Sequence, residues 1–117
     1  MPKNLVADPH GVQNSTSFQS LDIFELVKVS IIIPAFNEER LLGQSLTQIN
    51  LARRAFANRG WESELIVCDN NSTDRTADIA RAAGAVVVFE PVNQIGRARN
   101  RGASAATGDW LLFIDAD

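Results

Sequence analysis

From Val29 to the end of the chain, apolar positions switch repeatedly between a strand-like run and a helical period. Val29-Ser30-Ile31-Ile32-Ile33 is a β-branched run stopped by Pro34, which suits a strand buried on both faces. Leu42, Leu46, Ile49, Ala52 and Phe56 then recur at helical spacing, and Gly60 closes the segment. Asn37 is placed to cap this helix, with Glu38 and Glu39 in a first turn where the helix dipole favours acidic side chains. Leu65-Ile66-Val67-Cys68 predicts a second strand running into Asp69. Ser72, Thr73 and Asp74 offer caps for a second helix that carries Ala77, Ile79, Ala80 and Ala83 and stops at Gly84. A third strand spans Ala85 to Phe89, before Glu90-Pro91, and a third helix runs from about Gln94 to Ala106. Trp110-Leu111-Leu112-Phe113-Ile114 makes a fourth strand. This alternation predicts an α/β fold: a parallel sheet with helices on both faces.

Residues 1–28 break the pattern. Asp8-Pro9-His10-Gly11 is a turn cluster and Asn14-Ser15-Thr16-Ser17 is polar. Leu21, Ile23, Phe24, Leu26 and Val27 suit a short element leading into the domain, so 1–28 read as a flexible arm with a docked end. Too few basic residues accompany this apolar group for a membrane-surface patch. Residues 29–117 form the folded part.

Composition narrows the function. The 117 residues are 45% hydrophobic and 21% charged, an ordinary globular balance. No apolar run approaches the roughly 18–20 residues that cross a bilayer, and no secretory signal is readable, so a cytoplasmic setting is expected. The single cysteine, Cys68, excludes a disulfide framework and a cysteine-based zinc cluster. It reads as a small buried residue, and His10, the one histidine, falls in the polar arm. A net charge of −3 argues against a nucleic-acid partner.

Ligands of open α/β sheets bind beyond the carboxyl ends of the strands. At that edge the pattern places Asn37 and Glu38, then Asp69, Asn70 and Asn71, then Asp115 and Asp117. Crowded carboxylates repel one another unless a cation or solvent intervenes. Hard oxygen ligands beside an open edge suit Mg²⁺ or Mn²⁺ with phosphate oxygens. Arg97, Arg99 and Arg101 precede the fourth strand, where a guanidinium can hold phosphate. Arg97 and Arg101, at i and i+4, read as a solvated face, which leaves Arg99 as the better ligand candidate. Ser72 and Asp74 read as caps rather than ligands, and Trp61 and Trp110 as packing residues. Gly102, amid small residues, reads as a site of close helix-to-sheet packing.

Four segments carry a family resemblance: Val29 to Glu39 (VSIIIPAFNEE), Glu64 to Thr76 (ELIVCDNNSTDRT), Ala98 to Gly102 (ARNRG) and Ala106 to Asp117 (ATGDWLLFIDAD). Each is weak alone, but in this order and on these elements they resemble the nucleotide-binding half of a family 2 glycosyltransferase with the Rossmann-like GT-A fold. The resemblance implies that Pro34, Ala35 and Phe36 wall a base and ribose pocket, with Glu38 near the ribose. Asp69 would accept a hydrogen bond from N3–H of uracil, a task suited to an acceptor-only carboxylate. Arg99 would support the nucleotide, and the Asp115-Ala116-Asp117 segment would meet the donor's ribose and diphosphate. Asp117, assisted by Asp115, would ligate a divalent cation, Mg²⁺ or Mn²⁺.

Two departures from that family stand out: Asn70 where many relatives have a second aspartate, and no double glycine before Ala98-Arg99-Asn100. No catalytic base is assigned, because the resemblance puts it, with the acceptor pocket, beyond Asp117. The chain is therefore expected to be the first half of a larger domain, truncated after its fourth strand, with that strand's edge unprotected.

The leading expectation is an inverting transferase that uses a nucleotide-sugar donor, with a UDP-sugar favoured. Its acceptor, whether saccharide, lipid or protein, is unassigned, and peripheral membrane association through regions outside this chain stays open. A sugar-nucleotide pyrophosphorylase would need a glycine-rich phosphate loop where Pro34-Ala35-Phe36-Asn37-Glu38 stands. A dinucleotide dehydrogenase lacks its G-x-G-x-x-G at the same place. A non-catalytic nucleotide-binding module is the remaining alternative.

Overall fold

A computed structural model describes residues 3–4 and 27–116. Its strands are β1 (Lys3–Asn4), β2 (Lys28–Ala35), β3 (Glu62–Asp69), β4 (Val86–Phe89) and β5 (Trp110–Phe113). The helices are α1 (Leu42–Asn58), α2 (Thr76–Ala82) and α3 (Ile95–Ser104). The strands pair in the order β1-β5-β2-β3-β4, and every pair is parallel. This is the α/β sheet that the alternating pattern predicts, with elements close to their expected bounds.

Strand β2 is the spine, paired with β3 along its whole length. Its alternate residues serve the two faces. Val29, Ile31, Ile33 and Ala35 join Leu42, Leu46 and Ile49 of α1, Leu65 and Val67 of β3, and Ala80 of α2 in one buried cluster. On the other face α3 lies so close that a Cβ at Gly102 would stand 2.5 Å from Ile32 Cγ2. Gly102 thus has the packing role its small neighbours suggest. Phe56 and Trp61 pack ring to ring at 5.8 Å, and Trp110 packs against the same cluster, so both tryptophans are structural.

Two expectations need correction. The first helix does not start after Asn37: α1 begins at Leu42 and has no acidic residue in its first turn. Asn37 instead takes a left-handed conformation (φ 50°), and the Glu38 carbonyl accepts from the N–H groups of Leu41 and Leu42 in a separate turn. The Asn37 side chain serves the neighbouring loop, as described below. The second correction concerns the sheet edge. Strand β5 lies inside the sheet, because the α3 crossover returns the chain to the far side of β2. Its outer side pairs with β1, Lys3 opposite Trp110 and Asn4 opposite Leu111. The rest of the expected arm, including Leu21 to Leu26 and His10, lies outside the described residues.

The strand order reverses between β2 and β5, which is where an α/β sheet opens a crevice. At the opposite end, one carboxylate fixes how β5 enters. Glu64 Oε2 accepts from Ser30 Oγ (2.5 Å), Thr107 N–H (2.7 Å) and Thr107 Oγ1 (3.1 Å). The Ser30 hydroxyl oxygen in turn accepts from Gly108 N–H at 2.8 Å. Burial alone would raise the Glu64 carboxyl, but these bonds and Lys28 outweigh it and hold the group below its ordinary value. Such a group stabilises the fold above the ordinary carboxylate range, and the effect fades as pH falls through its lowered pKa.

Glu64→Ala should therefore destabilise the fold by about 1–3 kcal/mol at neutral pH in urea unfolding. The difference from the parent protein should shrink at about pH 3. An equal difference at both pH values would show that the carboxylate charge is not the stabilising element.

Candidate functional site

A cavity of about 600 Å³ opens at the carboxyl edge above the switch between β2 and β5. Pro34 and Ala35, the last residues of β2, form its floor with Phe36 and Glu38 from the following turn. Arg99 of α3 and Asp115 and Ala116, just past β5, close one side; Asn70, Asn93, Gln94 and Ile95 close the other. Every residue that the sequence placed in the substrate site lines this cavity except Asp69. Asp69 ends β3, is buried, and its Oδ1 accepts from Ser72 N–H at 3.0 Å. Asp117 lies outside the described residues.

Main-chain and helix contacts position the polar groups. Ile114 N–H donates to the Ile32 carbonyl at 3.0 Å, and Ser45 Oγ of α1 donates to the Ala116 carbonyl at 3.2 Å. Asp115 leaves the sheet between these two anchors. Its side chain is 69% exposed and stands 3.6 Å from the Arg99 guanidinium, itself 45% exposed. A pair this open to water is weakly held and leaves both groups available to a ligand. Among the described residues no group of three or more His, Cys, Asp or Glu side chains could hold a metal alone. An exposed carboxylate on a cleft edge nevertheless matches Mg²⁺ or Mn²⁺, which bind through one or two carboxylates and take their other oxygens from water and phosphate.

Two loops beneath the cavity are laced together. Thr73 N–H donates to Asn37 Oδ1 at 2.8 Å, Asn37 N–H to Ser72 Oγ at 2.9 Å, and Glu38 N–H to Thr76 Oγ1 at 2.9 Å. Asp74 accepts from the N–H groups of Thr76 and Glu39, at 2.9 and 3.2 Å. Burial alone would raise the Asp74 carboxyl, but its bonds from Thr76 and Glu39 hold it below its ordinary value. Asp74 has the capping role expected of it, accepting from the N–H of Thr76, the first residue of α2, whereas Ser72 caps no helix: its hydroxyl accepts from Asn37 N–H and so joins the two loops. Cys68 is fully buried, and burial, then the Glu90 and Asp69 carboxylates, push its thiol up to about 11. That excludes a nucleophilic thiolate at neutral pH.

Sequence reasoning missed the third loop. Glu90 is buried at 3% exposure, and its Oε2 accepts from Val92 N–H at 2.9 Å. Arg97 and Arg101, expected on a solvated face, stand 3.4 and 3.6 Å from the Glu90 carboxylate with their heads half in water. Val92 N–H, against the cost of burial, and then the two arginines hold the Glu90 carboxyl below its ordinary value. Asn70, placed by the sequence at the carboxyl edge and read as a departure from a family pattern, bonds to four residues of this loop. The available signal was the position of Asn70 directly after a strand, opposite a loop of Pro91, Val92, Asn93 and Gln94 that has no apolar period.

A parallel sheet with its cleft at this switch, floored by the β2 end and edged by Asp115, has the architecture of the GT-A glycosyltransferases. The chain belongs to glycosyl transferase family 2, whose sequence profile matches residues 30–117. It is 40% identical over 89 residues to an uncharacterized glycosyltransferase of Mycobacterium tuberculosis, covering 76% of this chain and 36% of that protein. Its structure resembles glucosyl-3-phosphoglycerate synthase from M. tuberculosis in complex with Mn²⁺, UDP and glucosyl-3-phosphoglycerate. The TM-score is 0.64 with 35% identity, over 78% of this chain and 34% of that one. The complex of that synthase with Mn²⁺ and UDP-glucose is similar at a TM-score of 0.64 and 33% identity, over 78% and 33% of the two chains. The chain thus spans about a third of the length of these relatives. No helix among the described residues is long and apolar enough to cross a membrane.

Because the Glu90 pKa is lowered in the fold, its contribution to stability is present above about pH 4.5 and is lost as pH falls through the lowered value. Glu90→Gln should lower the thermal midpoint at neutral pH and converge with the parent at about pH 3. Curves that stay parallel across that range would argue against an ionised Glu90.

Proposed function

We propose that the cavity holds the nucleotide of a nucleotide-sugar donor, a UDP-sugar, and that the intact enzyme transfers the sugar with inversion to an acceptor bound by regions outside this chain. The observation that carries the reading is the gathering of Pro34, Ala35, Phe36, Glu38, Arg99, Asp115 and Ala116 around one cavity at the strand switch. The UDP and UDP-glucose complexes of a protein 33–35% identical to this chain support it.

In this reading Pro34 and Phe36 give the base apolar surface, and Glu38 lies towards the ribose. Asp69 does not line the cavity but adjoins the lining residue Asn70, and in this reading it accepts from the uracil N3–H: Ser72 N–H occupies one carboxylate oxygen, and a carboxylate has acceptor sites to spare. Arg99 turns from Asp115 to the diphosphate, a better partner than a screened carboxylate. Asp115, with Asp117, offers hard oxygens to Mg²⁺ or Mn²⁺. Held there, the cation would supply positive charge to the diphosphate leaving group. The chain's own task is to bind and orient the donor, excluding water where the floor is apolar.

Calorimetry on the intact enzyme tests this. UDP should bind with a requirement for Mn²⁺ or Mg²⁺ that Asp117→Ala abolishes. Asp69→Asn keeps an oxygen for Ser72 N–H but turns an acceptor into a donor, and should weaken UDP by about 10–100-fold. UDP affinity unchanged in both variants would refute the assignment.

A further inference from the structure

The 90–94 loop forms one wall of the cavity, yet little apolar burial holds it there. Val92 and Ile95 are 47% and 55% exposed, and Asn93 and Gln94 are exposed as well. The loop follows β4, an edge strand of the described sheet; Glu90 N–H still donates to the Asp69 carbonyl at the end of β3 (3.0 Å), and the loop residues after it pair with no strand. Its placement therefore depends on polar contacts: Asn71 Nδ2 reaches the Pro91 carbonyl and two arginines reach Glu90, but the bonds to Glu90, Val92, Asn93 and Gln94 together converge on Asn70.

Asn70 is buried, and its hydrogen-bonding capacity is almost fully spent. A side-chain amide has two N–H donors and one oxygen. Both donors are used: Nδ2 donates to the carbonyl of Glu90 at 3.1 Å and to that of Val92 at 2.6 Å. Oδ1 accepts from Gln94 N–H at 3.1 Å. The Asn70 carbonyl accepts from Asn93 Nδ2, and the Asn70 N–H donates to the Ala35 carbonyl at 2.8 Å. One residue thus ties the end of β2, the floor of the cavity, to the loop that walls it. An aspartate could not do this, since an anionic oxygen would face two carbonyl oxygens beside the buried Glu90 carboxylate.

We infer that Asn70 is a positioning residue: it fixes the 90–94 loop as a preformed wall of the donor pocket and donates no hydrogen bond to the ligand. The ligand half of this inference rests on the donor reading above. The loop half does not. A wall ordered before binding spares the ligand the entropy of ordering it, so loosening it weakens binding without removing a ligand contact.

The test pairs amide hydrogen exchange with UDP calorimetry in Mn²⁺ on the intact protein, for the parent, Asn70→Ala and Asn70→Asp. In Asn70→Ala the amides of Val92 to Ile95 should exchange at least about tenfold faster while those of β2 and β3 are unchanged, and UDP should bind about tenfold more weakly. Asn70→Asp should be worse still at neutral pH. Relative to the parent at each pH, it should recover on acidification, because a protonated carboxyl regains one donor for the loop carbonyls. The groups that set its titration are Asp69 next in the chain, Glu90 with Arg97 and Arg101, and the Arg99–Asp115 pair on the same cavity. An unperturbed loop in both variants would overturn the inference. So would a loosened loop with UDP affinity unchanged. A parent protein that does not bind UDP would instead overturn the donor reading, and the exchange data would then decide the loop half by themselves. The pH recovery of Asn70→Asp keeps the inference falsifiable should Asn70→Ala fold poorly.

Discussion

Where a parallel strand ends, its outgoing N–H and C=O groups lose their ladder partners, and buried backbone groups left so are costly. The carboxyl edge of this sheet is governed by that constraint, because three chain segments turn there side by side. Side chains replace the ladder. Asn37, Ser72, Thr76 and Asp74 satisfy the turns after β2 and β3. Asn70 and Glu90 satisfy the turn after β4. The resulting layer of short polar side chains is a rigid base on which a cleft can stand. It also explains why Asn37, Ser72, Asp74 and Thr76 gather at this edge without themselves lining the cavity, while Asn70 both braces its loop and lines the wall.

The opposite end of the sheet has a matching requirement. Strand β5 arrives after a crossover and must enter in register with β2, or Asp115 would leave the sheet at the wrong height. Glu64, Ser30 and the Thr107-Gly108 turn fix that entry. Gly108 is needed for the same reason, since a Cβ there would stand 2.6 Å from Ser30 Oγ and 2.8 Å from the Lys28 carbonyl. A register set at one end of β2 is thereby delivered to the other, where Ile114 N–H still finds the Ile32 carbonyl.

The strands and helices were legible because apolar period alone decides them: Val29 to Ile33 can only be a doubly buried strand, and Leu42, Leu46 and Ile49 only one helix face. Strand ends made Glu38, Asn70 and Asp115 legible at the cavity, whereas Pro34, Ala35 and Phe36 were reached through the family resemblance. What failed were contacts that leave a single helix or strand, which apolar period does not report. Asn37 looked like the cap of the helix after it because the N–H it serves belongs to Thr73. Arg97 and Arg101 looked solvated because the carboxylate they face, Glu90, lies outside their helix, before Pro91 in the loop that leads into it. The internal position of β5 was hidden for the same reason, since strand order is set by a crossover that leaves no local trace in composition.

Asp69 and Asn70 show how such a site divides its work between neighbours. Adjacent residues at a strand end project to opposite sides, so two similar side chains meet different surroundings. Asp69 meets Ser72 N–H, a donor, and a carboxylate suits it. Asn70 meets the carbonyls of Glu90 and Val92, two acceptors, and only an amide can bridge them. Exchanging the two residues would set an anionic oxygen at position 70 against the two carbonyls, while an asparagine at position 69 would keep one oxygen for Ser72 N–H but lose the second acceptor oxygen. The order acid then amide is therefore imposed by the partners behind the pocket, and whatever the pocket binds must be read by the groups those bonds leave over.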